Sequence, residues 1–184
     1  MVRDPKILLL AALGIFLMPP PVTAQDVDAP RPMYELPTIT VSVLSEADPL
    51  YESASDLYQA NDWKGAAELY RAAAEGMPAN DANSYIPFDM SARLYFYAGE
   101  YGDSRGMMER AAEVAEATGD DVSAAYRHVD AAFIAIWEGF PGKRREHVAA
   151  AENYARSGGL DKPDTEKIWA LIRGVDALPV AEDR

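Results

Sequence analysis

The chain repeats a turn and two flanking helical patterns, and that periodicity limits what it can fold into. Turns NDW at 61–63, GEY at 99–101 and EGF at 138–140 put Trp63, Tyr101 and Phe140 at intervals of 38 and 39 residues. An amphipathic pattern precedes each turn and another follows it. Ala66, Tyr70, Ala73 and Pro78 follow the first turn. Ser104, Met108 and Ala111 follow the second, and Val148, Ala151 and Ala155 the third. Small residues let two helix backbones approach closely, while large ones fill the space beside them. A helix pair of this kind buries its apolar faces only by stacking on neighbours. The expectation is an all-α chain of stacked helix pairs.

These residues resemble a tetratricopeptide repeat (TPR). The first copy has Asp62-Trp63 at the turn, small Ala66, large Tyr70, small Ala73 and closing Pro78. Leu50, Ala54 and Leu57 occupy the family's large, small and large positions upstream. The second copy matches with Phe88, Ala92, Tyr95, Gly99, Tyr101, Ser104, Met108 and Ala111. Both copies exceed the family's 34-residue period, and joints such as EATGDD at 116–121 hold the excess. The third copy departs further. Its first helix has a clean stripe at Val122, Ala125, Tyr126, Val129, Ala132, Phe133, Ile136 and Trp137. A register set by Phe140, however, puts Asp130 and Lys143 at core positions, so the helix pair is expected there but not the register. SGGLDKPD at 157–164 ends a helix, and Asp161 or Asp164 starts the last one, which buries Ile168, Trp169, Ile172 and Val175. The resemblance implies a short α-solenoid of about three TPR-like helix pairs plus a C-terminal capping helix over residues 47–178, with a tail at 179–184.

The N-terminal quarter reads differently. Arg3 and Lys6 precede twelve uncharged residues, Ile7 to Met18, then PPP and the small residues before Gln25. This is the layout of a signal peptide over residues 1–24, and the apolar run is shorter than the roughly 20 residues a membrane span needs. The rival reading is an uncleaved anchor. Residues 25–46 are a Pro-rich linker followed by TITVSVL, with Ile39, Val41 and Val43 on one face of a period-two strand. No second strand is legible. The segment pairs with another protein by strand addition, pairs with a second copy, or lies as an extended arm along the first helix pair. With no cysteine in the chain, stability has to come from a core. A net charge of −13 repels nucleic acid and anionic headgroups.

Catalytic patterns are absent from the sequence. His128 and His147 are the only histidines, and Glu146-His147 lacks the second His of zincin spacing. His147 is expected at a helix–helix seam. No Gly-x-Ser-x-Gly elbow occurs, and GFPGK at 139–143 follows no strand. Asp120-Asp121 reads as a helix N-cap, and Lys143-Arg144-Arg145 as a solvated helix start. The expectation is no enzyme, no cofactor and no metal. The TPR resemblance implies a groove lined by Tyr51, Ser55, Tyr58 and Gln59 of the first copy and Asp89, Arg93, Phe96 and Tyr97 of the second. Ile39, Val41 and Val43 would add a strand contact. The expected function is an exported protein-binding scaffold, periplasmic or secreted, recognising an envelope or secreted protein or peptide. The alternative is a structural subunit of a membrane complex, facing the exported side on a retained N-terminal anchor. Self-association stays open. Membrane contact requires that the N-terminal segment be kept.

Overall fold

Helix starts and stops account for most of the architecture. The structure, a computed structural model, describes residues 49–78, 81–157 and 159–179. The expected signal peptide, Pro-rich linker and strand-like arm with Ile39, Val41 and Val43 lie outside the described residues. The described helices are α1 (Pro49–Gln59), α2 (Trp63–Gly76), α3 (Tyr85–Tyr97), α4 (Tyr101–Thr118), α5 (Asp121–Glu138), α6 (Pro141–Ser157) and α7 (Lys162–Ala177). A 3-10 turn, Ala82–Ser84, leads into α3. The fold is all-α, with no strand among the described residues.

Three aspartates start helices by accepting a free backbone N–H. Asp62 accepts from Gly65 at 2.9 Å, Asp120 from Ser123 at 3.0 Å, and Asp161 from Asp164 at 2.9 Å. Each such cap contributes about 1 kcal/mol. Of the two candidates for the last helix, Asp161 is the cap. The three helix-pair turns pass through a left-handed residue: Asn61 (φ 62°), Gly99 (φ 79°) and Gly139 (φ 75°). Trp63 and Tyr101 stand two residues after the first two. In the third turn Pro141 takes that position, so Phe140 falls one residue early and is 54% exposed. Phe140 is therefore not the structural counterpart of Trp63 and Tyr101. The turn residue sets the register, not the aromatic.

Each helix from α1 to α6 packs mainly on its neighbours in sequence, and α7 packs on both α5 and α6. Small side chains let the helices approach and large ones fill the space beside them. Ala66 and Ala67 of α2 meet Leu94 and Tyr95 of α3, with Leu57, Trp63, Tyr70 and Met107 filling around them. Further along, Ala92, Met108, Ala131 and Ile134 bring α3, α4 and α5 together. Two buried hydroxyls also cross between helices: Ser91 donates to the Ala67 carbonyl at 2.8 Å and Ser104 to the Ala92 carbonyl at 2.7 Å. Helices α3 and α5 are enclosed most completely, with Ile86–Tyr95 and Val129–Ile136 buried throughout. Burial on every side is the state of a central helix rather than a surface one. In α7, Ile168, Ile172 and Val175 are buried. Trp169 is only half-buried, beneath the Arg156 guanidinium at 5.3 Å. No described helix is long and apolar enough to cross a membrane.

Candidate functional site

The turns gather aromatic side chains at one end of the helix pairs. Tyr58, near the end of α1, meets Trp63 edge-on with centroids 5.1 Å apart. Trp63 meets Tyr97 at 5.9 Å, and Tyr97 meets Phe96 at 6.3 Å. Phe96 then touches Tyr101, Phe133 and Trp137 at 5.3, 5.7 and 5.8 Å. The result is a continuous file of rings from α1 to α5, mostly in tilted or edge-to-face contacts. Such contacts add about 0.5–1.5 kcal/mol each beyond burial. Every ring of the file except Phe133 is half-buried, with one flank in the protein.

Helices α3 and α5 also share a buried charge cluster. Asp89 and Arg93 on α3 pair within their helix, Arg93 Nε donating to Asp89 at 2.8 Å. Arg127 on α5 donates across to Asp89. Arg93 reaches Asp130 on α5 at 3.5 Å, and Arg127 lies 3.6 Å from the same carboxylate. Two acids and two bases balance, as buried charges must. Two donors, Arg93 Nη1 and Arg127 Nε, find no acceptor among the described residues.

This arrangement corrects part of the expected groove. Asp89 and Arg93 were expected on an open face, but they are 0% and 6% exposed and bound to one another and to α5. The physical reason is that α5 supplies Arg127 and Asp130, which make burial of the α3 pair electrostatically affordable. Phe96 and Tyr97 are half-buried within the ring file, Tyr58 is half-buried at its start, and Gln59 is exposed. Tyr51 and Ser55 belong to α1 by backbone, and their side chains lie outside the described residues. The structure thus joins Tyr58, Phe96 and Tyr97 in one file and assigns Asp89 and Arg93 to the interior.

A second polar cluster ties α4, α5 and α6. His147 is buried at the helix seam, as the sequence suggests, with its ring centroid 5.5 Å from that of His128. Glu109 accepts from His147 Nε2 at 3.0 Å, and Glu116 from His128 Nε2 at 2.9 Å and from the Tyr154 hydroxyl at 3.0 Å. Burial lowers the His147 pKa, and the nearby His128 adds to this while Glu109 opposes it. Tyr154 is pushed up to about 12 by burial first and by its Glu116 partner second. Among the described residues, no group of three or more His, Asp or Glu is placed to hold a metal ion. Arg144 of the basic run reaches Asp176 at 3.2 Å, pinning the start of α6 to the end of α7.

Sequence reasoning did not anticipate Arg127, Glu109 or Glu116 as cross-helix partners, yet a signal was present. Asp89 and Arg127, Glu109 and His147, and Glu116 and Tyr154 are each 38 residues apart. Residues one repeat apart face each other on successive helices of the same type, so complementary polar pairs at that spacing were readable. A shallow depression of about 340 Å³ between α2, α3 and α4 is lined by Met77, Phe88 and Val114 and rimmed by the Arg110–Glu113 pair. Nothing in it forms a nucleophile–base pair. No family model, curated protein or solved structure matches the chain.

Proposed function

We propose that the chain is an exported binding scaffold, a short α-solenoid of TPR-like helix pairs that recognises an envelope or secreted protein or peptide. The observation that carries the reading is the file of half-buried Tyr, Trp and Phe rings running along the turn ends from Tyr58 to Trp137. Rigid aromatic side chains with one flank packed and one toward the surface are the usual anchors of protein interfaces. The sequential packing of α1 to α6 supports the solenoid, since each helix pair leans on the next. The recognition surface would centre on Tyr58, Gln59 and Tyr97, with the segment carrying Ile39, Val41 and Val43 as a second contact by strand addition. Asp89 and Arg93 serve the scaffold's interior. The chain is read as a binder without catalytic activity or cofactor.

A photo-crosslinking residue at Gln59 tests the surface, with one at Arg173 on α7 as control; both positions are exposed. A single discrete adduct from position 59 in the native envelope fraction, absent from position 173, supports the proposal. Equal adducts from both, or none from position 59, overturn it. Intact mass tests the export reading. A native chain beginning at Gln25 supports cleavage, whereas a retained N-terminus favours the anchored subunit.

A further inference from the structure

His128 and His147 belong to different helices, and their rings approach in an unusual way. The Nδ1 atoms are 3.3 Å apart, the centroids 5.5 Å, and the planes 29° apart. The centroid distance exceeds the nitrogen distance by about two ring radii, so the Nδ1 atoms point at each other along the line of centres. Both Nε2 atoms face carboxylates, Glu116 for His128 and Glu109 for His147. An ionised carboxylate only accepts, so both Nε2 atoms carry hydrogen.

Counting hydrogens then fixes the state of the pair. One hydrogen between the Nδ1 atoms makes one bond, giving three hydrogens on four ring nitrogens, that is, one imidazolium and one neutral imidazole. With two hydrogens, lone pairs face each other at 3.3 Å. With four, two N–H groups and two positive charges collide. A metal ion on the line of centres would need two bonds of about 2.0–2.1 Å, and hence nitrogens roughly 4 Å apart. The gap fits a hydrogen instead.

We propose that His128 and His147 form a one-proton clasp between α5 and α6, and that a second proton, supplied by acid, opens it and loosens α4, α5 and α6. The groups facing the pair come from each packed helix. Helix α4 contributes Glu109, Glu116 and Arg105, the last bound to Glu109 at 2.7 Å. Helix α6 contributes Lys143, 3.7 Å from Glu109, with Glu146 beside it, and Tyr154, whose ring stacks on His128 at 6.1 Å. Arg105 also binds Glu138 of α5. On α7, Lys167 sits over the Tyr126 ring. These partners hold the single positive charge in place. None of them relieves the N–H to N–H conflict that a second proton creates.

The sign follows from proton counts. An unfolded histidine titrates near about 6.5, so the unfolded chain holds more than one of the two protons below that pH and less than one above it, while the folded pair holds one. The clasp's contribution to stability therefore peaks near about 6.5 and falls as the pH drops below it, until the second proton enters the folded pair. The limiting slope is one proton, about tenfold in the folding constant per pH unit.

Two measurements on the full-length chain test this. Urea unfolding of the wild type and His147→Gln between about pH 6.5 and pH 5 should show the wild-type folding constant falling more steeply, by up to about tenfold per pH unit. Parallel slopes overturn the clasp. Nitrogen-15 NMR of the wild-type ring nitrogens needs no variant, so it decides the matter even if His147→Gln does not fold. Both Nε2 atoms protonated with a single hydrogen between the Nδ1 atoms near neutral pH supports the proposal. Two rings that each gain a proton independently near about 6.5 overturn it.

Discussion

Asp89→Asn should weaken the fold far more than its size suggests. The substitution keeps the shape of the side chain and one acceptor but removes a charge from a site that is 0% exposed. Arg93 at 2.8 Å and Arg127 then share a single remaining carboxylate, Asp130. Breaking a buried ion pair by removing one partner costs about 3–5 kcal/mol, because the other charge stays buried without compensation. The retained acceptor puts Asn at the lower end, about 3 kcal/mol. That is a large share of a domain stability of about 5–15 kcal/mol and corresponds to a drop of about 6–12 °C in Tm for a chain of this size. Urea unfolding followed by far-UV circular dichroism measures it, with Asp89→Asn, Arg127→Gln and the double variant as a cycle. The double variant restores neutrality, so it should recover stability and give a coupling above about 1 kcal/mol. The exposed Lys64–Glu100 pair is the control, since Lys64→Gln should leave the midpoint unchanged. A loss below about 1 kcal/mol for Asp89→Asn would mean the cluster is not dry, and the reasoning fails.

Three further outcomes follow from single positions. Gly119 ends α4 at φ 74° with open space where a Cβ would go, so Gly119→Ala costs backbone strain alone, about 1 kcal/mol, while Gly106→Ala within α4 is stabilising by up to about 1 kcal/mol; equal urea midpoints for the two would contradict this. Phe96→Ala removes the ring that Tyr97, Tyr101, Phe133 and Trp137 share and should cost about 2–3 kcal/mol, less than a fully buried Phe, so unchanged thermal unfolding would rule out the ring file as a structural element. Tyr154, raised to about 12, should stay protonated while ordinary tyrosines ionise. Its contribution to stability is present below about pH 10 and is lost as pH rises toward the folded value, and a phenolate absorbance titration lacking a late-titrating tyrosine would refute it.

The helices were legible because their signals are local. The cap at Asp120, the left-handed glycines and the alanine stripes all act within a few residues, and the sequence places seven helices where seven are found among the described residues. The third register was not legible from its aromatic. The interval from Gly99 to Gly139 is 40 residues against 38 from Asn61 to Gly99, which moves Phe140 out to solvent. Asp130 seemed a misfit at a core position, and it is in the core. One opposing charge that makes this tolerable comes from α3, 37 residues away at Arg93, and the other from Arg127 on α5. A hydrophobic pattern scores a charge as surface, because it does not see the partner that neutralises it. Asp89 and Arg93 were expected on an open face for a different reason, the groove positions that the TPR resemblance implies, which likewise carry no information on Arg127 and Asp130 across the seam.

The pairs 38 residues apart also give the order of the helices a direction. The α3–α4 pair offers only carboxylates at these contacts, Asp89, Glu109 and Glu116, and the α5–α6 pair answers with Arg127, His147 and Tyr154. A tandem copy of α3–α4 inserted after itself would set Asp89 against Asp89, and a tandem copy of α5–α6 would set Arg127 against Arg127. At the added seam like would meet like. These three contacts therefore disfavour duplication of either helix pair, because the carboxylates stand on the α3–α4 side and their hydrogen-bond donors on the α5–α6 side.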